Sequence, residues 1–126
     1  MKKYGLIGFP LSHSFSPSFF EQKFKDLGIL DCEYKAYPIQ HILEVGQLLN
    51  DGILGFNVTI PYKVDILDLL DEIDLSAKKI KAVNCVKVVE GKMIGFNTDT
   101  YGFGLSLLDL IGEKFNGKAL VLGTGG

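Results

Sequence analysis

Ser14 and Ser16 place two hydroxyls two residues apart in the loop Gly8-Phe9-Pro10-Leu11-Ser12-His13-Ser14-Phe15-Ser16-Pro17, which runs into a helix start. Such a place suits an anion, a carboxylate among them, because backbone N–H groups and the helix dipole point the same way. Ser16 also fits a plain cap, with Pro17 at the first helical position. His13 has no second histidine near it, since His41 falls on a separate predicted helix, and no metal centre is expected. A second polar set lies in Phe56-Asn57-Val58-Thr59-Ile60-Pro61-Tyr62-Lys63. Alternation along a strand puts Asn57 and Thr59 on one face and Val58 and Ile60 on the other. A polar pair on a central strand needs partners if buried. Lys63 follows the strand, in what reads as the first turn of a helix, where the dipole disfavours a cation. A solvated surface lysine is the alternative reading. Asn84, in Ala82-Val83-Asn84-Cys85-Val86, and Asp99, in Gly95-Phe96-Asn97-Thr98-Asp99, complete the set. They lie near the ends of two runs whose pairing would bring them together, although Asp99 also fits a cap of the last helix.

The elements that would position these groups alternate between short β-type runs and amphipathic helical stretches. Tyr4 to Phe9 reads as a buried strand. A helix follows from Ser16, with Phe20, Phe24 and Leu27 at helical spacing and Gly28 as its stop. Glu33 to Tyr37 reads as a second strand ended by Pro38. Ile42, Val45, Leu48 and Leu49 mark a second helix closed by Asn50-Asp51-Gly52. Gly55 to Ile60 is a predicted third strand. Pro61 then opens a helix with Val64, Leu67 and Leu70 inward and Asp65, Asp68 and Asp71 outward. A short helix over Leu75 to Ile80 leads to Ala82–Val89, Glu90-Gly91 and Lys92–Phe96, a predicted hairpin. A last helix carries Leu105, Leu108 and Ile111, and Asn116-Gly117 turns the chain into a run from Lys118 to Leu122. The fold expected is a three-layer α/β/α domain with a mixed, mostly parallel sheet. Helices should cover both faces, with the polar groups at the carboxyl edge of the strands.

Composition bounds the function. With 126 residues, 47% apolar and 22% charged, the chain fits one ordinary domain and is too apolar for disorder. Thirteen basic residues against 15 acidic ones, without a Lys/Arg cluster, argue against nucleic acid. The longest apolar runs are a few residues, as in Ala119–Leu122, so no membrane span is expected. Cys32 and Cys85 make no disulfide framework, and a reduced cytoplasmic compartment is the expectation. The run Ala119–Leu122 followed by Gly123-Thr124-Gly125-Gly126 has the form of a strand entering the phosphate-binding turn of a dinucleotide fold. A flexible tail is the competing reading.

Taken together, these residues resemble the successive motifs of the shikimate dehydrogenases: His-Ser-Phe-Ser-Pro at 13–17, Asn-Val-Thr-Ile-Pro-Tyr-Lys at 57–63, Ala-Val-Asn at 82–84 and Asn-Thr-Asp at 97–99. They occur in that family's order and spacing. The resemblance covers essentially the whole chain, and Gly123-Thr124-Gly125-Gly126 is similar to the family's NADP loop, Gly-x-Gly-Gly. It implies a two-domain oxidoreductase that interconverts 3-dehydroshikimate and shikimate in aromatic amino-acid biosynthesis. An N-terminal α/β domain would bind shikimate and a Rossmann domain would bind NADP. On that resemblance residues 1–100 form the shikimate-binding domain. Residues 101–126 hold the connecting helix, first strand and partial Gly-rich loop of a truncated NADP domain, with Gly123, Thr124, Gly125 and Gly126 touching the cofactor. Ser14 and Ser16 would hold the substrate carboxylate. Asn57, Thr59, Asn84 and Asp99 would contact ring hydroxyls or the catalytic lysine, and Lys63 would be the acid/base group beside Asp99. The chain departs from the family in carrying Phe20-Glu21 where a polar pair such as His-Asn is frequent, which makes that helix face more apolar. Cys85 stands where threonine is common.

The residue types suit such a reaction. Moving a hydride to or from a secondary alcohol carbon also moves the hydroxyl proton, which a group within hydrogen-bond reach must accept or donate. A free lysine titrates at about 10.4, desolvation lowers that value and a carboxylate neighbour raises it. Lys63 and Asp99 are therefore treated as one proton-sharing unit. With most of an NADP domain absent, the chain alone is expected to bind shikimate weakly and not to turn it over. The run Ala119–Leu122 would pair with another copy, giving a homodimer or strand-mediated self-association, or fray. Two competing functions are a quinate/shikimate dehydrogenase using NAD and a non-catalytic shikimate-binding module.

Overall fold

The computed structural model describes residues 1–123. Strand β1 (Lys2–Gly8) leads through helix α1 (Ser16–Asp26) to β2 (Cys32–Pro38). A 3-10 turn (Ile42–Glu44) and α2 (Val45–Asn50) then return the chain to β3 (Ile53–Val58). These strands pair in parallel, with β1 between β2 and β3. The crossover from β1 to β2 and the one from β2 back past β1 to β3 run in opposite directions, and right-handedness of both places α1 and α2 on opposite faces of the sheet. A 3-10 segment (Asp65–Leu69), β4 (Glu72–Ile73) and α3 (Leu75–Lys78) follow, then the hairpin β5 (Cys85–Val89) and β6 (Lys92–Phe96), and finally α4 (Asp99–Ile111). The sheet order is β2-β1-β3-β5-β6-β4. Only β5 runs against the others, pairing antiparallel with β3 and β6. The expected mixed, mostly parallel α/β sheet flanked by helices is the fold observed.

The two faces of the sheet are unequal. Ile7, Phe56, Val58 and Val86 share one face with Val45, Leu48, Ile66 and Val83 in a closely packed core. The register puts Tyr4, Leu6, Tyr34, Asn57 and Cys85 on the other face, where α1 packs. That face is only half-buried, and it carries the polar side chains. The hairpin turn is legible in its residues: Glu90 and Gly91 both have positive φ, 51° and 78°, as a two-residue turn matched to the strand twist requires.

Four expectations are corrected. First, no helix starts at Pro61. The segment 65–69 is a 3-10 turn in which Ile66 is buried and Val64 is half exposed. Tyr62 and Ile66, four apart, set the inward face, and the Tyr62 hydroxyl donates to the Ile39 carbonyl at 2.8 Å. Second, β3 ends at Val58, so Ile60 lies beyond the sheet and is 70% exposed. Third, Ser16 does not cap α1: it is the first helical residue, and Phe15, which holds the cap position, has no side-chain group to accept from the first-turn N–H groups. Fourth, Lys118–Leu122 forms no strand, and Leu120, Val121 and Leu122 are exposed. A strand needs a neighbour for its N–H and C=O groups, and none of the six strands flanks this run. Of the predicted Gly-rich loop, Gly123 is described. Thr124, Gly125 and Gly126 lie outside the described residues.

Candidate active site

The carboxyl ends of β1 and β3 open into one cleft of about 720 Å³. At the end of β1, between the cleft-lining Leu6 and Phe9, Gly8 has no room for a side chain: a Cβ there would lie 2.5 Å from the Thr59 methyl and 2.9 Å from the Ile60 carbonyl oxygen. The close approach is locked by two backbone bonds, Phe9 N–H to Ile60 O and Thr59 N–H to Ile7 O, both 3.0 Å. Position 8 therefore takes glycine because two chain segments must touch there.

Ser14, Ser16, Asn57, Thr59, Lys63, Asn84 and Asp99 all line this cleft, drawn from four separate stretches of chain. Lys63 donates from Nζ to Asp99 Oδ2 at 2.6 Å. Lys63 sits in the turn after β3 and not in a helix, and its carbonyl accepts from Val83 N–H at 2.8 Å. That bond ties the lysine backbone beside Asn84. The Asn84 carboxamide then grips Thr98 at both ends, Nδ2 donating to Thr98 Oγ1 and Oδ1 accepting from Thr98 N–H, each at 2.8 Å. Asp99 follows as the first residue of α4. Asn97 Oδ1 accepts from Thr100 N–H, so the cap of α4 is supplied by Asn97 and the Asp99 carboxylate stays available to Lys63.

The side chains of the pair are 26% and 56% exposed, so solvent screens the attraction and its weight in folding is small. Its meaning is positional. An ammonium has three donors, and Asp99 takes one, leaving two toward the cleft. The pair can share a proton while contacting the same hydroxyl. The cleft is also lined by the aromatic rings of Phe9, Phe15, Phe19 and Phe20. The helix face that the sequence marks as more apolar thus contributes to the cleft through rings.

Tyr34 is not singled out by any sequence motif, yet its hydroxyl donates to Asn57 Oδ1 at 2.8 Å. Asn57 Nδ2 donates in turn to the Asn84 carbonyl at 3.2 Å. Burial holds the Tyr34 phenol well above its ordinary range, against the opposing pull of the Ser16 hydroxyl, so it stays a neutral donor. The available signal is a tyrosine on β2, the edge strand beside β1, whose half-buried hydroxyl must find a partner. Burial also pushes the Cys85 thiol up, which keeps it protonated and unreactive. Among the described residues, no cluster of His, Cys, Asp and Glu could hold a metal ion, and no helix is long and apolar enough to cross a membrane.

An α/β sheet with a polar cleft at the carboxyl ends of its strands is the arrangement in which domains of this class commonly hold small ligands. Comparison with known proteins narrows this. The model of the shikimate dehydrogenase substrate binding domain matches residues 6–86, and the chain belongs to that family. It is 42% identical over 130 residues to the shikimate dehydrogenase (NADP(+)) of Methanocaldococcus jannaschii, across 99% of this chain and 45% of that protein. It is also similar to the crystal structure of shikimate dehydrogenase 1 from Peptoclostridium difficile, with a TM-score of 0.86 and 38% identity, over 99% of this chain and 48% of that one. A further solved structure is the Thermus thermophilus shikimate 5-dehydrogenase in complex with shikimate, at a TM-score of 0.79 and 34% identity, covering 94% of this chain and 46% of that one. The chain thus spans about half the length of the relatives it matches.

Proposed function

We propose that this chain is the substrate-binding part of an NADP-dependent shikimate dehydrogenase, taking shikimate and 3-dehydroshikimate in the 720 Å³ cleft. The observation that carries the reading is the Lys63–Asp99 ion pair, 2.6 Å long, lining the same cleft as Ser14 and Ser16. Ser14 and Ser16 hold the carboxylate by donated hydrogen bonds. Asn57 and Thr59 meet ring hydroxyls. Asn84 keeps Asp99 in place through Thr98. Lys63 and Asp99 together take the hydroxyl proton when the alcohol is oxidised and return it when the ketone is reduced.

Residues 1–100 carry this set, and residues 101–126 lead into an NADP-binding part. Gly123 has a φ of 106°, a backbone region open to glycine, as a tight phosphate-loop turn requires. Gly123, Thr124, Gly125 and Gly126 are assigned to that loop. NADP, when bound, supplies the hydride acceptor or donor. This chain's residues bind and orient the ring, keep its carboxylate away from the proton-handling pair and move the proton. The cytoplasm is the compartment that suits a biosynthetic enzyme with free cysteines.

Calorimetric titration of the chain with shikimate tests the reading. Saturable one-to-one binding is expected, and it should be lost when Ser14 and Ser16 are both replaced by alanine. Absence of saturable binding, or equal affinity for a neutral cyclohexane polyol, contradicts it.

A further inference from the structure

Two facts about hydrogen-bond chemistry bear on Asn57. A backbone carbonyl only accepts, so the Asn57 end that faces the Asn84 carbonyl at 3.2 Å must be the amide nitrogen. The Asn57 oxygen is then turned toward the Tyr34 hydroxyl, 2.8 Å away. Tyr34 in turn is clamped: its ring stacks on Phe20, with centroids 4.3 Å apart and planes within 16°. The phenol therefore cannot swing away without breaking an aromatic contact.

We propose that Tyr34 is a positioning residue of the cleft, its hydroxyl holding the Asn57 carboxamide with the oxygen on the Tyr34 side, so that Asn57 offers a ligand an N–H donor. The proposal rests on the reading of the cleft as a shikimate site. With the oxygen held by the Tyr34 hydroxyl and one N–H committed to Asn84, the second N–H is the donor that remains for a ligand. A donor at that point serves a ring oxygen in either oxidation state, because a hydroxyl and a ketone both accept. Without the phenol, only the 3.2 Å bond to the Asn84 carbonyl holds the carboxamide, and turning it would break that bond and bring its oxygen toward a ketone oxygen of like polarity. Phe20, the position at which this chain departs from the family's polar pair, supports the lock through its ring.

The test uses the ¹⁵N-labelled chain carrying Tyr34→Phe, which keeps the stacked ring and removes only the hydroxyl. Without ligand, the Asn57 side-chain NH₂ signals are expected to shift and to exchange faster with water. An Asn57 NH₂ pair identical to that of the unmodified chain overturns the proposal. With shikimate, Tyr34→Phe is expected to weaken binding about tenfold, the scale of one hydrogen bond to a polar partner. That loss should vanish in an Asn57→Ala background, and equal losses in both backgrounds overturn the coupling. If the unmodified chain binds no shikimate while Tyr34→Phe still frees the Asn57 amide, the shikimate reading falls and the lock stands.

Discussion

Lys63→Met is expected to lower turnover about 10²–10⁴-fold, the usual contribution of a positioned acid/base group. The assay joins residues 1–122 to the cofactor-binding part of the Methanocaldococcus jannaschii relative and follows NADP reduction by shikimate. The size of the effect follows from geometry. Lys63 is anchored through its carbonyl to Val83 and through Nζ to Asp99, and Asp99 is held by the Asn84–Thr98 clasp. Methionine keeps the length of the side chain and removes every donor. Asp99 is then left alone facing an anionic substrate, so KM for shikimate should rise as kcat falls. Arginine at position 63 should not restore the rate, because a guanidinium stays charged and cannot give up its proton. Turnover by Lys63→Met equal to that of the unmodified chimera would remove the pair from the chemistry.

The second large effect concerns the scaffold. Ile7 has no solvent exposure and lies in β1, between Tyr37 of β2 and Val58 of β3. Ile7→Ala is expected to cost about 2–5 kcal/mol, the transfer of the lost groups plus the cavity they leave. That is a large share of a domain's about 5–15 kcal/mol, and urea unfolding of the chain measures it. Leu108→Ala, on a half-exposed position of α4, should change stability by no more than about 0.5 kcal/mol. Ile7 also precedes Gly8, where β1 meets the segment after β3, and its carbonyl accepts from the N–H of cleft-lining Thr59. Damage at position 7 should therefore reach ligand binding as well as stability.

Much of this architecture is legible in local residue patterns, and the exceptions have physical causes. Gly28 stops α1 with a φ of 65°, and Glu90-Gly91 turns the hairpin. Both signals act within a few residues. Strand β4, only Glu72 and Ile73, has no alternation to read and exists because β6 offers it an edge. The stretch after Pro61 reads as a helix because proline marks helix starts and turns alike, and the aspartates at 65, 68 and 71 mimic a helical outer face. Tertiary packing chose Ile66, which no periodic count from Val64 would bury. The cleft groups carry their own spacing and so could be picked out singly. What links them could not be: the Tyr34–Asn57 bond spans 23 residues and the Asn84–Thr98 clasp spans 14, across strands whose register only the fold sets. Asp99, equally readable as a cap, is freed from that duty by Asn97.

A crystal structure of the chain with shikimate tests the central claim most directly. The carboxylate should lie between the Ser14 and Ser16 hydroxyls, with one ring hydroxyl in hydrogen-bond reach of both Lys63 Nζ and the Asp99 carboxylate. A ring bound outside the cleft, or one whose carboxylate contacts Lys63 while its hydroxyls meet the two serines, would contradict the account.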